Sequence, residues 1–183
     1  MRIEQAKDIA GELLAEILPR RWNHVQGVGT WAEKVSEHIP GSVGVLPAAA
    51  WLHDIGYAPL LVDTGFHPID GARHLRRLGV DERIVCLVAH HTCAHIEADL
   101  RGLSGILRDE FSHERSDVAD ALCFCDMTTS PDGDRVEVLA RLTEIRSRYG
   151  PGDLVTQFID IAEPEILATA ERISGLLAET HPM

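Results

Sequence analysis

His24, the adjacent pair His53-Asp54 and Asp126 are the residues of this chain best suited to chemistry: two imidazoles and two carboxylates, the side chains that hold divalent cations. Three such ligands suit zinc with an open position, and four with added water suit manganese, iron or magnesium. The set therefore predicts one or two divalent ions and leaves manganese, iron, cobalt, nickel, magnesium and zinc undistinguished.

Helical periodicity tests the idea. Spacing places His24 on one stripe with Val28, Trp31 and Val35, on the apolar and inward face of its helix. Asp126 follows Leu122 by four and Val118 by eight, so a carboxylate also falls on a buried stripe, where, unpaired, it costs several kcal/mol or is forced neutral. Asp54 falls in the last turn of a helix expected from about Pro47 to Gly56, facing the negative end of the helix dipole. That placement is unfavourable by on the order of 0.3–1 kcal/mol unless positive charge is near. One bound cation would answer all three.

Three more histidines form a candidate second cluster: His67 before Pro68, and the pair His90-His91. Pro68 suits the first position of a helix, which puts His67 at its mouth. His91 shares a stripe with Leu87 and Ile84, whereas His90 lies about a hundred degrees round the helix. Either both bind, or one binds and the other hydrogen-bonds behind it.

The elements that must position these groups read as helix throughout: residues 2–18, 20–39, 46–54, 68–78, 81–91, 97–107, 116–128, 133–149, 152–161 and 164–178, punctuated by proline and glycine. No alternating run suggests a sheet. The expectation is an all-α, single-domain helical bundle over 1–183, with a motif core at about 20–130 and helices over 133–178 as scaffold. In the helix at 133–149, Val136, Leu139, Leu142 and Ile145 are expected inward, with Glu137–Arg141 and Glu144–Arg148 as outward pairs. Residues 59–65 and 109–114 read as loops beside the site. The tail His181-Pro182-Met183 is given no role.

An apolar content of 45% in 183 residues supports one core. No apolar run approaches a membrane span, and the charged first helix is no signal peptide, so a cytoplasmic location is expected. Cys86, Cys93, Cys123 and Cys125 lack zinc-ribbon spacing and read as buried packing residues in a reducing compartment. A net charge of −12 without a basic stripe argues against polymeric nucleic acid as partner and leaves a small phosphorylated substrate, such as a nucleotide.

The local wording adds a resemblance. Arg20-Arg21-Trp22-Asn23-His24, Trp51-Leu52-His53-Asp54-Ile55-Gly56 and Cys125-Asp126-Met127-Thr128-Thr129, in that order, resemble the HD-domain superfamily of metal-dependent phosphohydrolases. The resemblance implies an HD-type helical fold and hydrolysis of a phosphate ester or anhydride by metal-activated water. It further implies, from binuclear members, that Asp54 bridges two ions, with His67, His90 and His91 holding the second. Arg20, one helical turn before His24, is the expected phosphate contact, and Asp70 a candidate proton relay.

Departures narrow the substrate. Tyr57 stands where cyclic-dinucleotide phosphodiesterases of the superfamily have lysine, and Thr92-Cys93-Ala94-His95 replaces their Gly-Tyr-Pro signature, which argues against cyclic di-GMP. Two other readings remain at this point: an HD-fold di-iron oxygenase, which needs the same extra histidines, and a non-catalytic ligand-sensing module.

Overall fold

Residues Val45–Leu52 form a helix that is apolar on every side (Val-Leu-Pro-Ala-Ala-Ala-Trp-Leu), and the rest of the chain is arranged around it. The computed structural model describes residues 1–179; the tail at 181–183 lies outside them. Ten α-helices are found among the described residues: α1 (Ile3–Leu14), α2 (Pro19–Val35), α3 (Val45–Leu52), α4 (His67–Arg77), α5 (Glu82–His90), α6 (Ala94–Arg101), α7 (Ser104–Glu110), α8 (Asp117–Met127), α9 (Val138–Tyr149) and α10 (Leu154–Glu179). The expected all-α fold is what the structure shows. The nearest approach to a sheet among the described residues is one isolated bridge, Thr129 to Arg135.

Helix α3 packs against α1, α2, α5 and α8, which places its C-terminus and the following His53-Asp54 at the centre of the molecule. Its approach to α2 is close because Gly29 leaves room for the Trp51 indole; a Cβ there would lie 2.4 Å from the ring. Helix α8 carries Asp126 in from one side, and α4 with α5 bring His67 and His91 from another.

Several expected boundaries moved. The helix expected at 97–107 is two, α6 and α7, because Gly102 takes a left-handed conformation (φ 71°) and caps α6. The two expected at 152–161 and 164–178 are one, α10, with Pro164 inside it. Proline there forfeits a backbone hydrogen bond, at about 3 kcal/mol. Continuous burial of Phe158, Ile159, Ala162, Ile166, Ala170 and Ile173 outweighs it, at roughly 1.5–3 kcal/mol for each large side chain. The segment before α9 is not helical, so that helix starts at Val138. Its inner face is Val138, Arg141, Leu142 and Ile145, while Leu139 is 59% exposed.

All four cysteines are free and buried, as expected of packing residues. No helix among the described residues is long and apolar enough to cross a membrane.

Candidate metal centre

Two groups of three potential ligands meet at the inner ends of α2, α3, α4, α5 and α8. One is His24, His53 and Asp126; the other is Asp54, His67 and His91. Within each group the ligand atoms lie within 4.8 Å of one another. Asp54 faces both. Its Oδ2 is 3.4 Å from His53 Nε2 and 3.9 Å from His24 Nε2, and its Oδ1 is 3.3 Å from His67 Nε2 and 4.0 Å from His91 Nε2.

The rings are fixed in the tautomer that metal binding requires. Nδ1–H of His24 donates to the Ser130 carbonyl (3.0 Å), that of His53 to Ala50 (2.7 Å) and that of His91 to Val88 (2.7 Å). Each Nε2 lone pair therefore points into the cluster, held from behind by a backbone carbonyl. There it meets other lone pairs: His24 Nε2 is 3.0 Å from Asp126 Oδ1, and the Nε2 atoms of His67 and His91 are 3.2 Å apart. His53 Nε2 is buried with no hydrogen-bond partner. Orphaned and mutually facing acceptors in a buried site are what a cation resolves, so the residues fit divalent metal.

The electrostatics agree. Burial works against the charge on His53, but Asp54 and Asp126 outweigh it and push its pKa up to about 9. The field at the cluster thus favours positive charge. Burial and the nearby His67 and His53 push His91 down to about 3, leaving it a neutral donor. Burial alone would raise Asp54, yet Arg21 and His53 hold it well below the usual carboxylate range. Asp126 is lowered against its burial by the His24 hydrogen bond and His53.

Six of the seven expected ligands are brought together: His24, His53, Asp54, His67, His91 and Asp126. His90 is not. It turns away, with Nε2 3.0 Å from the Phe111 carbonyl and its ring stacked on His113 at 4.4 Å, because adjacent residues on a helix point about a hundred degrees apart. Arg20 also lies off the cluster, on the surface and paired with Asp132 at 3.1 Å. Its neighbour Arg21 reaches the cluster instead, with Nη1 2.7 Å from Asp54 Oδ2 and its guanidinium 4.0 Å from the Tyr57 ring centre. Three residues before a ligand and four before it share one face, so the sequence carried the signal for both. Asp70 is buried but spent: its oxygens accept from the backbone N–H groups of Asp63, Thr64 and Gly65 and from the Thr64 hydroxyl, tying down that loop. It anchors the loop and has no oxygen free to relay a proton.

Two residues missed by sequence reading complete the centre. Thr92 Oγ1 donates to Asp126 Oδ2 at 2.5 Å, and Tyr57 stacks on His67 at 3.9 Å. A cavity of about 80 Å³ opens on Asp54, His67, His91 and Asp126. Its far wall is Arg141, Ile145 and Arg148 of α9 with Phe158 and Ile159 of α10, so the C-terminal helices are more than scaffold.

This is an all-α protein with a buried His/Asp centre that could hold metal. The HD-domain family model matches residues 21–127, and the chain belongs to the HD-domain family. It is similar, at 33% identity over 92 residues, to a tRNA (cytidine(56)-2'-O)-methyltransferase of Thermoplasma volcanium; the match covers 50% of this chain and 27% of that protein. No solved structure matches. HD domains bind divalent metals, in keeping with the two triads.

Proposed function

We propose that the chain is a metal-dependent phosphohydrolase acting on a small phosphate ester or nucleotide. The observation that carries the reading is the division of Asp54, one oxygen towards each triad, beside a guanidinium suited to an anion. His24, His53 and Asp126 would hold one ion and His67 and His91 the other, with Asp54 between them. A divalent ion, when bound, supplies Lewis acidity: it acidifies water and neutralises phosphoryl charge. Arg21, held on Asp54, adds positive charge beside the phosphoryl group from the α2 side. The carbonyls of Ser130, Ala50 and Val88 and the Thr92 hydroxyl hold the ligands in register. Met127, Phe158 and Ile159 line the cavity with apolar surface that excludes bulk water.

The same six residues also support a di-iron oxygenase, which needs this histidine-rich set. Methyl transfer to tRNA, the activity in the relative's name, gains little from a match over 27% of that protein. The net charge of −12 supports a small substrate over a nucleic acid, and four free cysteines support a cytoplasmic location.

The test is phosphate release. Protein loaded in turn with manganese, cobalt, iron, nickel and magnesium is screened against nucleoside phosphates and small phosphomonoesters, with His53→Ala as the inactive control. No release from any substrate, with oxygen uptake by the iron-loaded form, would transfer the assignment to the oxygenase. Full metal loading with neither activity would make the protein a sensing module.

A further inference from the structure

Helix α9 puts cations where packing alone calls for apolar side chains. Arg141, Ile145 and Arg148 form one stripe of that helix, and all three line the cavity over the metal centre. Arg141 is only 5% exposed. Its Nη1 donates to Glu144, but its buried Nε has no acceptor. Glu144 also faces Arg148 at 3.5 Å, so one carboxylate serves two guanidinium groups and one positive charge is left over. The third cation on this cavity, Arg21, is engaged with Asp54. A buried guanidinium with an unmet donor is costly unless an anion completes it.

We infer that Arg141 and Arg148 are the receptor for the substrate's phosphoryl oxygens, gripping them from the side opposite the His/Asp triads, with Glu144 fixing both side chains in place. The chemical class of the anion rests on the phosphohydrolase reading. Size adds a constraint on the rest of the substrate. The inner cavity, about 80 Å³, is the smaller of two spaces that these arginines line. Arg21, Arg141 and Arg148 also line an adjoining pocket of about 310 Å³, whose other wall includes Ile17, Leu18, Pro19 and Pro131. The arginines therefore stand between the two spaces. The substrate class is a phosphomonoester whose phosphoryl group enters the inner cavity while an apolar or ring-bearing organic part stays in the outer one.

Binding is measured by calorimetry on manganese-loaded protein with two probes, inorganic phosphate and phenyl phosphate, and metal content is determined for each variant. Arg141→Gln and Arg148→Gln should each weaken phosphate binding about ten- to hundredfold with metal content unchanged, as loss of a charge-assisted hydrogen bond predicts. Phenyl phosphate should bind more tightly than phosphate. Arg148 is partly exposed, so its variant keeps the test valid if Arg141→Gln fails to fold; Arg141→Lys should recover part of the affinity. Phosphate affinity within twofold of wild type in Arg148→Gln, or in a folded Arg141→Gln, would overturn the receptor. Phenyl phosphate binding no tighter than phosphate would overturn the placement of the organic part. Arginine-dependent phosphate binding without turnover of any phosphomonoester would support the receptor and count against hydrolysis. Turnover with an unchanged KM in Arg148→Gln would do the reverse.

Discussion

Gly56 offers a sharp test of how the fold holds its centre. A Cβ at this position would lie 2.0 Å from the carbonyl oxygen of His67, 2.8 Å from its carbonyl carbon and 2.7 Å from the Gly71 nitrogen. An ordinary carbon–oxygen contact is about 3.3 Å or more, so Gly56→Ala must part the Ile55–Tyr57 turn from α4 by at least about 1.3 Å. Backbone stands on both sides, and no flexible side chain can yield. Overpacking of this kind costs about 1–3 kcal/mol, which for a chain of this size is a fall in Tm of roughly 2–12 °C. The displaced carbonyl belongs to His67, whose Nε2 is 3.3 Å from Asp54 Oδ1, and metal sites tolerate only about ±0.2 Å in ligand distance. The second ion should be lost while the His24, His53 and Asp126 group keeps its own. Elemental mass spectrometry reads the ions, and thermal melts in chelator separate the packing cost from ligand stabilisation. Gly105→Ala, with open space at its Cβ, is the control and should be neutral or slightly stabilising. Unchanged metal content and a Tm within about 1 °C of wild type for Gly56→Ala would refute the reasoning.

Asp54→Ala should abolish metal at both sites and His67→Ala at one only; normal metal content in Asp54→Ala would refute the bridging role. Arg21→Ala should lower kcat/KM for phosphate release, since it removes the guanidinium on Asp54, whereas Arg20→Ala, at a residue that lines only the outer pocket, should affect turnover less and stability by no more than about 1 kcal/mol, its ion pair being on the surface. Equal kinetic effects in the two variants would refute that distinction. Asp70→Ala should lower Tm by several degrees without directly removing a ligand, because it strips four acceptor contacts from the loop at residues 63–65; an unaltered Tm would show that the loop is held otherwise.

The ligands were legible because they break a rule: an imidazole or carboxylate on an apolar stripe demands a partner, and His24, His91 and Asp126 each sit on one. The stripe through Leu87 and Ile84 also separated His91 from His90. What local pattern could not carry was long-range. Gly56 reads as a helix stop, but its lack of a side chain is needed for the approach of α4, eleven residues on. Arg141 reads as an outward partner of Glu137; it is buried because α10 folds back over α9, and it pairs with Glu144 instead. Pro164 reads as a break and is overridden by burial on both sides. Arg20 and Arg21 both lie within about one turn of His24, and only the packing of α2 against α3 and α8 sets which one reaches Asp54.

The turn after α5 shows why the two triads act as one unit. Thr92 (φ 47°) and Cys93 (φ 56°) are consecutive non-glycine residues in the left-handed region, which costs roughly 1–2 kcal/mol each. Helix α5 ends at His90, His91 takes an extended ψ of 151°, and the left-handed pair turns the chain so that the Thr92 hydroxyl reaches Asp126, a ligand of the other triad. A relaxed helix through residue 93 would carry Thr92 about a hundred degrees round from His91 and away from that contact. One strained turn therefore follows His91, a ligand of one group, and steadies Asp126, a ligand of the other. Asp54 joins the same two groups through its two oxygens, so covalent chain and carboxylate tie the halves of the centre together independently.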